Sequence, residues 1–375
     1  MALSFLIVDT YYPAFLETFH QTHPELGGAN YDETLGALMA TCFGTSDFYS
    51  KNLQLLGHDA ADIVANDRML QAKWAAAHGL SLTPPMAPLS RAVAGVPYLR
   101  RFARRPDWLL PLLAKQVEAT RPDVLYLQDI GLCESRFVRA IRPFVKLIVG
   151  QIACPPLPVR YLRGCDLILT SFPHYVERFR ALGIDSEYLE IGFETTLLER
   201  LAISQTTYDT VFVGGIADVH VEATEALEQA ARTIGLDFWG YGAEKLAEDS
   251  PLRRKFHGQA WGLEMYNLFF NARIVVNRHS SASEQFANNM RLYEATGAGA
   301  MLITDEKDNL GELFEVGTEV VAYRGANDLV EKIQHYLSHE DDRAAIARAG
   351  QERTLRDHSY LERMKKLEQI IESRL

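Results

Sequence analysis

FANNMRLYEATGAGAMLITD, residues 286–305, joins a helix, a sharp glycine turn and a buried strand. A helix from about Asn289 to Thr296 places Arg291 and Glu294 three apart, as neighbours on one face. The turn Gly297-Ala298-Gly299 then sends the chain into AMLIT, 300–304, a compact apolar run of strand type. Open parallel α/β sheets bind ligands beyond the carboxyl ends of their strands, where helix N-termini present free N–H groups and a positive dipole end to anions. A carboxylate at Glu294 can accept hydrogen bonds from both hydroxyls of a ribose, as acidic residues do in dinucleotide-binding folds. The plainer reading of Arg291 and Glu294 is a surface ion pair.

Outward from this stretch the pattern repeats. DTVFVG (209–214), LDFWG (236–240), RIVVN (273–277) and EVVAY (319–323) read as further strands, with helical runs such as VEATEALEQAARTIG and NDLVEKIQHYL between them. Together they predict a doubly wound α/β unit. Upstream, LSFLIV (3–8), PDVLYLQD (122–129), VKLIVGQ (145–151) and CDLILTS (165–171) predict a second parallel sheet. A helical pattern from roughly Asp32 to Gly57 carries Leu35, Leu38, Met39, Cys42 and Phe43 at helical spacing. The polar stretch SQTTYD at 204–209 separates the two series. The final SYLERMKKLEQIIESRL puts Tyr360, Met364, Leu367, Ile370 and Ile371 on one apolar stripe that needs a partner surface. The expected division is 1–203, 204–357 and a terminal helix over 358–375.

Composition limits the function. The chain has 375 residues, 47% hydrophobic, which suits two domains. With 38 basic against 49 acidic side chains, the net charge of −11 argues against general nucleic-acid binding. No apolar run is long enough to span a bilayer, and the N-terminus lacks a basic start and a cleavage site, so a cytoplasmic location without an integral membrane segment is expected. Arg100, Arg101, Arg104 and Arg105 precede an apolar run beginning at Trp108, a layout that suits either a solvated helix face or an anionic membrane surface. Cys42, Cys133, Cys154 and Cys165 lack metal or redox spacing and are expected to be reduced.

Several strand ends carry residues suited to a ligand. Gly214 and Gly215 close VFVGG, where the missing Cβ allows backbone to approach a phosphate, or simply makes a tight turn. Asn277, Arg278 and His279 end RIVVNRH, and Arg278 suits forked contact with phosphate oxygens or a surface salt bridge. In the first half, Asp9 and Asp129 follow strands and are candidates for a base acting on an acceptor hydroxyl, Asp129 being preferred, against the alternative that each caps a helix. Tyr11, Tyr12 and Gln151 are further candidates for an acceptor site. His20 and His23 read as an exposed loop feature, since a third metal ligand is missing.

The run NNMRLYEATGAGAMLITD, with VVNRH before it and ELFEVGTEVVAY, YLSHEDDRAAIARAGQERTLRDHSY and an amphipathic helix after it, resembles the CgeB-type branch of the group-one glycosyltransferases. The resemblance covers most of 206–375. It implies a GT-B fold: two facing Rossmann-like, doubly wound α/β domains with a C-terminal crossover helix. The donor, a nucleotide-diphosphate sugar acting as co-substrate with no separate cofactor, would occupy the second domain. By position, Glu294 matches the ribose-binding acid, Asn288 and Arg291 match residues shaping the donor loop beside Asn289, and Gly297 and Gly299 match the tight turn. KFHGQAWGLEMYN, 255–267, falls where such enzymes form the nucleobase pocket, so Trp261 is expected either to stack on a base or to pack in the core. Phe286 stands where retaining relatives carry a second glutamate, with Glu284 and Gln285 out of register, and VFVGGIADVH lacks a basic pair.

The expected activity is metal-independent sugar transfer to an unknown glycan, protein or small-molecule acceptor. Missing sugar-binding glutamate leaves a non-catalytic nucleotide-sugar or protein-binding module as the alternative. A nicotinamide-dependent oxidoreductase is a weaker one, because neither first strand is followed by G-x-G-x-x-G.

Overall fold

The computed structural model describes residues 2–82, 106–154, 158–216 and 221–375. The arginine cluster at 100–105 therefore lies outside the described residues. Two parallel sheets organise the chain. The first has six strands in the order β2-β1-β3-β4-β5-β6: β1 Ser4–Asp9, β2 Asp59–Val64, β3 Val124–Leu127, β4 Leu147–Gln151, β5 Leu167–Thr170 and β6 Ser186–Tyr188. The second has five in the order β11-β10-β9-β7-β8: β7 Tyr208–Gly215, β8 Asp237–Tyr241, β9 Ala272–Val276, β10 Met301–Asp305 and β11 Val321–Tyr323. Central strands such as β3 and β5 are buried along their whole length, as a sheet covered by helices on both faces requires.

Each sheet reverses its winding once. Strand β7 pairs with β8 on one side and β9 on the other, with Phe212 opposite Val276, so the crevice between the ends of β7 and β9 is a topological switch point. In the first sheet β1 pairs with both β2 and β3, which makes a second switch point beside Asp9 and Asp129.

Strands β2 and β6 lie outside the expected set. Strand β2 sits at the sheet edge with an alternating exposed and buried pattern, and its sequence DAADIV carries too few apolar residues to stand out. The expected helix over 32–57 is two helices, Tyr31–Met39 and Phe48–Leu55. Between them the backbone turns through positive φ at Cys42, Gly44 and Ser46, which ends the helical repeat although the apolar spacing continues.

The apolar stripe at the C-terminus finds its partner in the first half of the chain. Helix Tyr360–Glu372 packs on Phe48–Leu55, with the Tyr360 ring 5.4 Å from both Phe48 and Tyr49. Tyr360, Met364, Leu367 and Ile371 are buried, while Ile370 is only partly so. Entry to the helix is clamped: Phe193 N donates to His358 O, and Tyr360 N donates to Phe193 O, both at 2.9 Å. Buried Arg363 donates to Ile191 O at 2.9 Å, and Glu368 lies 3.0 Å from His58.

Candidate functional site

A cavity of about 330 Å³ opens at the switch point of the second sheet. That is the small end of the range usual for ligand pockets, roughly 300–1,000 Å³. Its floor is the end of β7, Phe212 to Gly215; one wall is Asn277 to Ser280, and another is Asn288 to Arg291. Ala153, Phe172 and Ile191 of the first half complete it, so the cavity lies between the two sheets' halves of the chain. Of the sequence candidates, Gly214, Gly215, Asn277, Arg278, His279, Asn288, Asn289 and Arg291 come together here.

Arg278 is buried rather than on the surface. Its guanidinium donates to Gly215 O at 2.6 Å and Thr224 Oγ1 at 3.0 Å, and lies over the Phe212 ring. Burial pushes its pKa down to about 10, so a cation is held where water screens it poorly. Asn277 and Asn289 serve the backbone and each other. Asn277 Nδ2 donates to Thr304 Oγ1, and Asn289 caps helix Met290–Gly297 by accepting from Leu292 N while donating to Arg278 O.

His279 Nδ1 is 2.7 Å from the Asp305 carboxylate, which also accepts the His279 backbone N–H at 3.0 Å. Its Nε2 is buried and has no hydrogen-bond partner among the described residues. Burial works to raise the Asp305 pKa, but the His279 contacts and nearby Lys307 hold it below the usual carboxylate range. Asn288 reaches the first half of the chain: Nδ2 donates to Ser171 O at 2.6 Å, while its Oδ1 is buried without a partner among the described residues.

Glu294 sits one layer behind the wall. It is 2% exposed, paired with Arg291, and 3.4 Å from the Tyr266 hydroxyl. The ion pair of the plainer reading forms, with Glu294 buried and Arg291 half-buried. Arg291 lines the cavity, Glu294 does not, and Arg291 Nε donates to Val213 O.

Other candidates have structural duties. A Cβ on Gly214 would meet the Phe212 ring and one on Gly215 the ring of exposed Tyr241, so either substitution would push a side-chain ring aside. Gly297 is pressed against the Phe193 ring, and Gly299 adopts φ +94 to make the turn. Trp261 does not line this cavity; it packs edge-on against Tyr12 and Phe43 at 5.7 and 5.5 Å, as the packing alternative describes. Asp129 caps the turn after β3 through Gly131 N and accepts from Thr10 Oγ1, leaving the capping alternative as the better description. Gln151 accepts from Tyr49 and Tyr126 in the first core, and Tyr11 is buried. His20 is on a helix and lies 2.8 Å from Asp67, not in an exposed loop.

Sequence reasoning missed Ser171, Phe172 and His174 on the facing side. The signal was present, because CDLILTS ends a strand there. His174 stacks on Phe286, the residue in place of the second glutamate, at 5.0 Å, and Arg178 forms a bidentate pair with Glu284 at 2.8 and 2.9 Å.

Solved structures of similar architecture cover nearly the whole chain. Anabaena HepE, in complex with UDP and glucose, superposes with a TM-score of 0.60 over 99% of this chain and 100% of its own, at 13% identity. A glycosyltransferase from Rickettsia africae gives 0.57 over 99% and 98%, at 12% identity. Sucrose-phosphate synthase from Thermosynechococcus elongatus gives 0.56 over 99% and 98%, also at 12%. The chain has the GT-B fold. Within this GT-B chain, residues 222–369 match the model of a family described as glycosyl transferase-like. No curated protein matches the sequence. Among the described residues no helix is long and apolar enough to cross a membrane.

Proposed function

We propose that this protein transfers a sugar from a nucleotide-diphosphate sugar to an acceptor, with the donor's diphosphate in the cavity at the ends of β7 and β9. The observation that carries the reading is the cavity wall itself. Its lining residues include Arg278, whose guanidinium is buried, and His279 and Asn288, whose Nε2 and Oδ1 are buried without hydrogen-bond partners among the described residues. Buried polar atoms are normally satisfied, and a sugar nucleotide offers both kinds of complement, phosphate oxygens for the cationic guanidinium and hydroxyl donors for an amide oxygen. The match of 222–369 to a glycosyl transferase-like family and the complex of Anabaena HepE, a neighbour of similar fold, with UDP and glucose support the same chemistry. We assign the finer resemblance to the CgeB-type branch on the motifs of 286–305.

In this reading the leaving diphosphate is stabilised by Arg278 and the N-terminus of helix Met290–Gly297, and the reaction needs no divalent ion. Phe286 stacked on His174 favours a second reading, a module that binds nucleotide sugar without turning it over, because the position holds a ring and not a carboxylate.

Thermal shifts with UDP, GDP, ADP, TDP and NAD separate the classes. A shift with one diphosphate and none with NAD is the expected result; NAD alone points to an oxidoreductase. Turnover of the donor with and without EDTA then tests the rest: activity lost on chelation refutes metal independence, and binding without turnover favours the module.

A further inference from the structure

A groove in the first half gathers cations in a chain that is acidic overall, with 49 acidic against 38 basic side chains. It encloses about 830 Å³ beside helix Ser135–Ile141, which follows β3, and the short helix Val159–Leu162 between β4 and β5. Four arginines line it, Arg139 and Arg142 from one segment, Arg160 and Arg163 from the other. It shares no lining residue with the cavity at the ends of β7 and β9.

The members of each pair are three apart, which places them on one side of the last turn of their helix. Basic residues at a helix C-terminus complement its dipole, and exposed charges are ordinarily solvated. That explains a cation at each helix end. It does not explain why two segments of the chain, about 20 residues apart, bring theirs to one concavity. Local partners leave most of the charge uncompensated. Arg142 holds Asp166 through two bonds at 2.8 and 2.7 Å, and the Arg160 guanidinium lies over the Tyr161 ring, 4.8 Å from its centroid. Arg139 and Arg163 are exposed and form no ion pair among the described residues.

Guanidinium forks match phosphate oxygens in bidentate geometry. A concavity admits a compact ligand and not the flat face of a bilayer, and the net charge of −11 disfavours a long polyanion such as nucleic acid. We propose that this groove is a second anion site, which takes a compact ligand bearing two or more phosphate groups between the arginines of its two segments. The assignment is independent of the reading of the donor cavity.

Calorimetric titration with inorganic tripolyphosphate at low ionic strength, where surface charges are least screened, tests it. The wild type is expected to bind, and Arg139→Gln/Arg163→Gln, with an unchanged thermal transition, to bind about tenfold or more weakly. Arg136→Gln/Arg254→Gln removes the same charge from exposed positions that do not line the groove, and is expected to bind as the wild type does. Arg278→Ala, which alters the other cavity, is expected to bind tripolyphosphate as well as the wild type. No binding to the wild type, equal binding by the groove variant, or the same loss in either control overturns the proposal. Cosedimentation with phosphatidylcholine vesicles containing phosphatidylserine separates the membrane alternative: binding that requires Arg139 and Arg163 and resists competition by tripolyphosphate assigns the groove to a lipid surface and overturns it too.

Discussion

Half-buried Arg291, which lines the cavity, pairs with buried Glu294 one helical turn on. Glu294 is thereby both a structural anion and a candidate ribose acceptor. Removing it leaves Arg291 and Tyr266 without their partner. Glu294→Ala is expected to lower unfolding stability by about 1–3 kcal/mol and, in the folded fraction, to weaken nucleotide-diphosphate binding about tenfold or more. Urea unfolding and calorimetry measure the two effects. Unchanged affinity in the folded variant removes Glu294 from the site.

Gly297 meets Phe193 across the junction of the two halves, and a Cβ there would stand 2.4 Å from the ring. Phe193 is fully buried and its backbone clamps the start of the terminal helix, so it has little room to yield. Gly297→Ala is expected to cost about 1–3 kcal/mol through overpacking, read as a shift in denaturation midpoint. A variant as stable as the wild type contradicts the close contact.

The terminal helix is expected to stabilise the first half of the chain as much as the second. Truncation before Ser359 exposes the Phe48–Leu55 helix and unpairs Arg363 from Ile191 O. Each buried side chain lost from the stripe contributes about 1.5–3 kcal/mol. Hydrogen exchange over residues 1–200 is expected to accelerate in the truncated protein; identical exchange with and without the helix contradicts the crossover.

Much of this architecture was legible from apolar runs, because parallel strands buried on both faces write themselves as compact Val, Ile and Leu segments such as VLYL and LIVGQ. Edge strand β2 did not, since Asp59 and Ala61 face solvent and Asp62 interrupts its short apolar run. The cavity walls were partly legible too: Arg278, His279 and Asn288 follow strands or precede a helix, where the fold places ligands. Burial was not legible. Nothing in RIVVNRH tells an interior Arg278 from a surface one, and Trp261 is directed away from the cavity by aromatic partners at Tyr12, Phe15 and Phe43 that lie far off in sequence.

Asp62 supplies a pH test of the first half. Its Oδ1 is buried without a partner among the described residues, and burial raises its pKa to about 7 against the Ser50 hydroxyl, which works to lower it. Because the folded value is raised, the contribution to stability is full below the ordinary value of 3.8 and is lost as pH rises through about 7. Asp62→Asn is therefore expected to be more stable than the wild type at pH 8 by about 1–3 kcal/mol, with the difference vanishing toward pH 4. Parallel stability profiles contradict the raised value.

The central claim, a diphosphate held at the ends of β7 and β9, stands or falls with Arg278. Calorimetric titration of the wild type and Arg278→Ala with UDP, GDP, ADP and TDP is the direct measurement. One diphosphate is expected to bind the wild type, and the variant to lose about 2–5 kcal/mol of that binding, roughly 30-fold or more. Equal affinity in a folded Arg278→Ala, or no binding of any diphosphate to the wild type, would contradict the account.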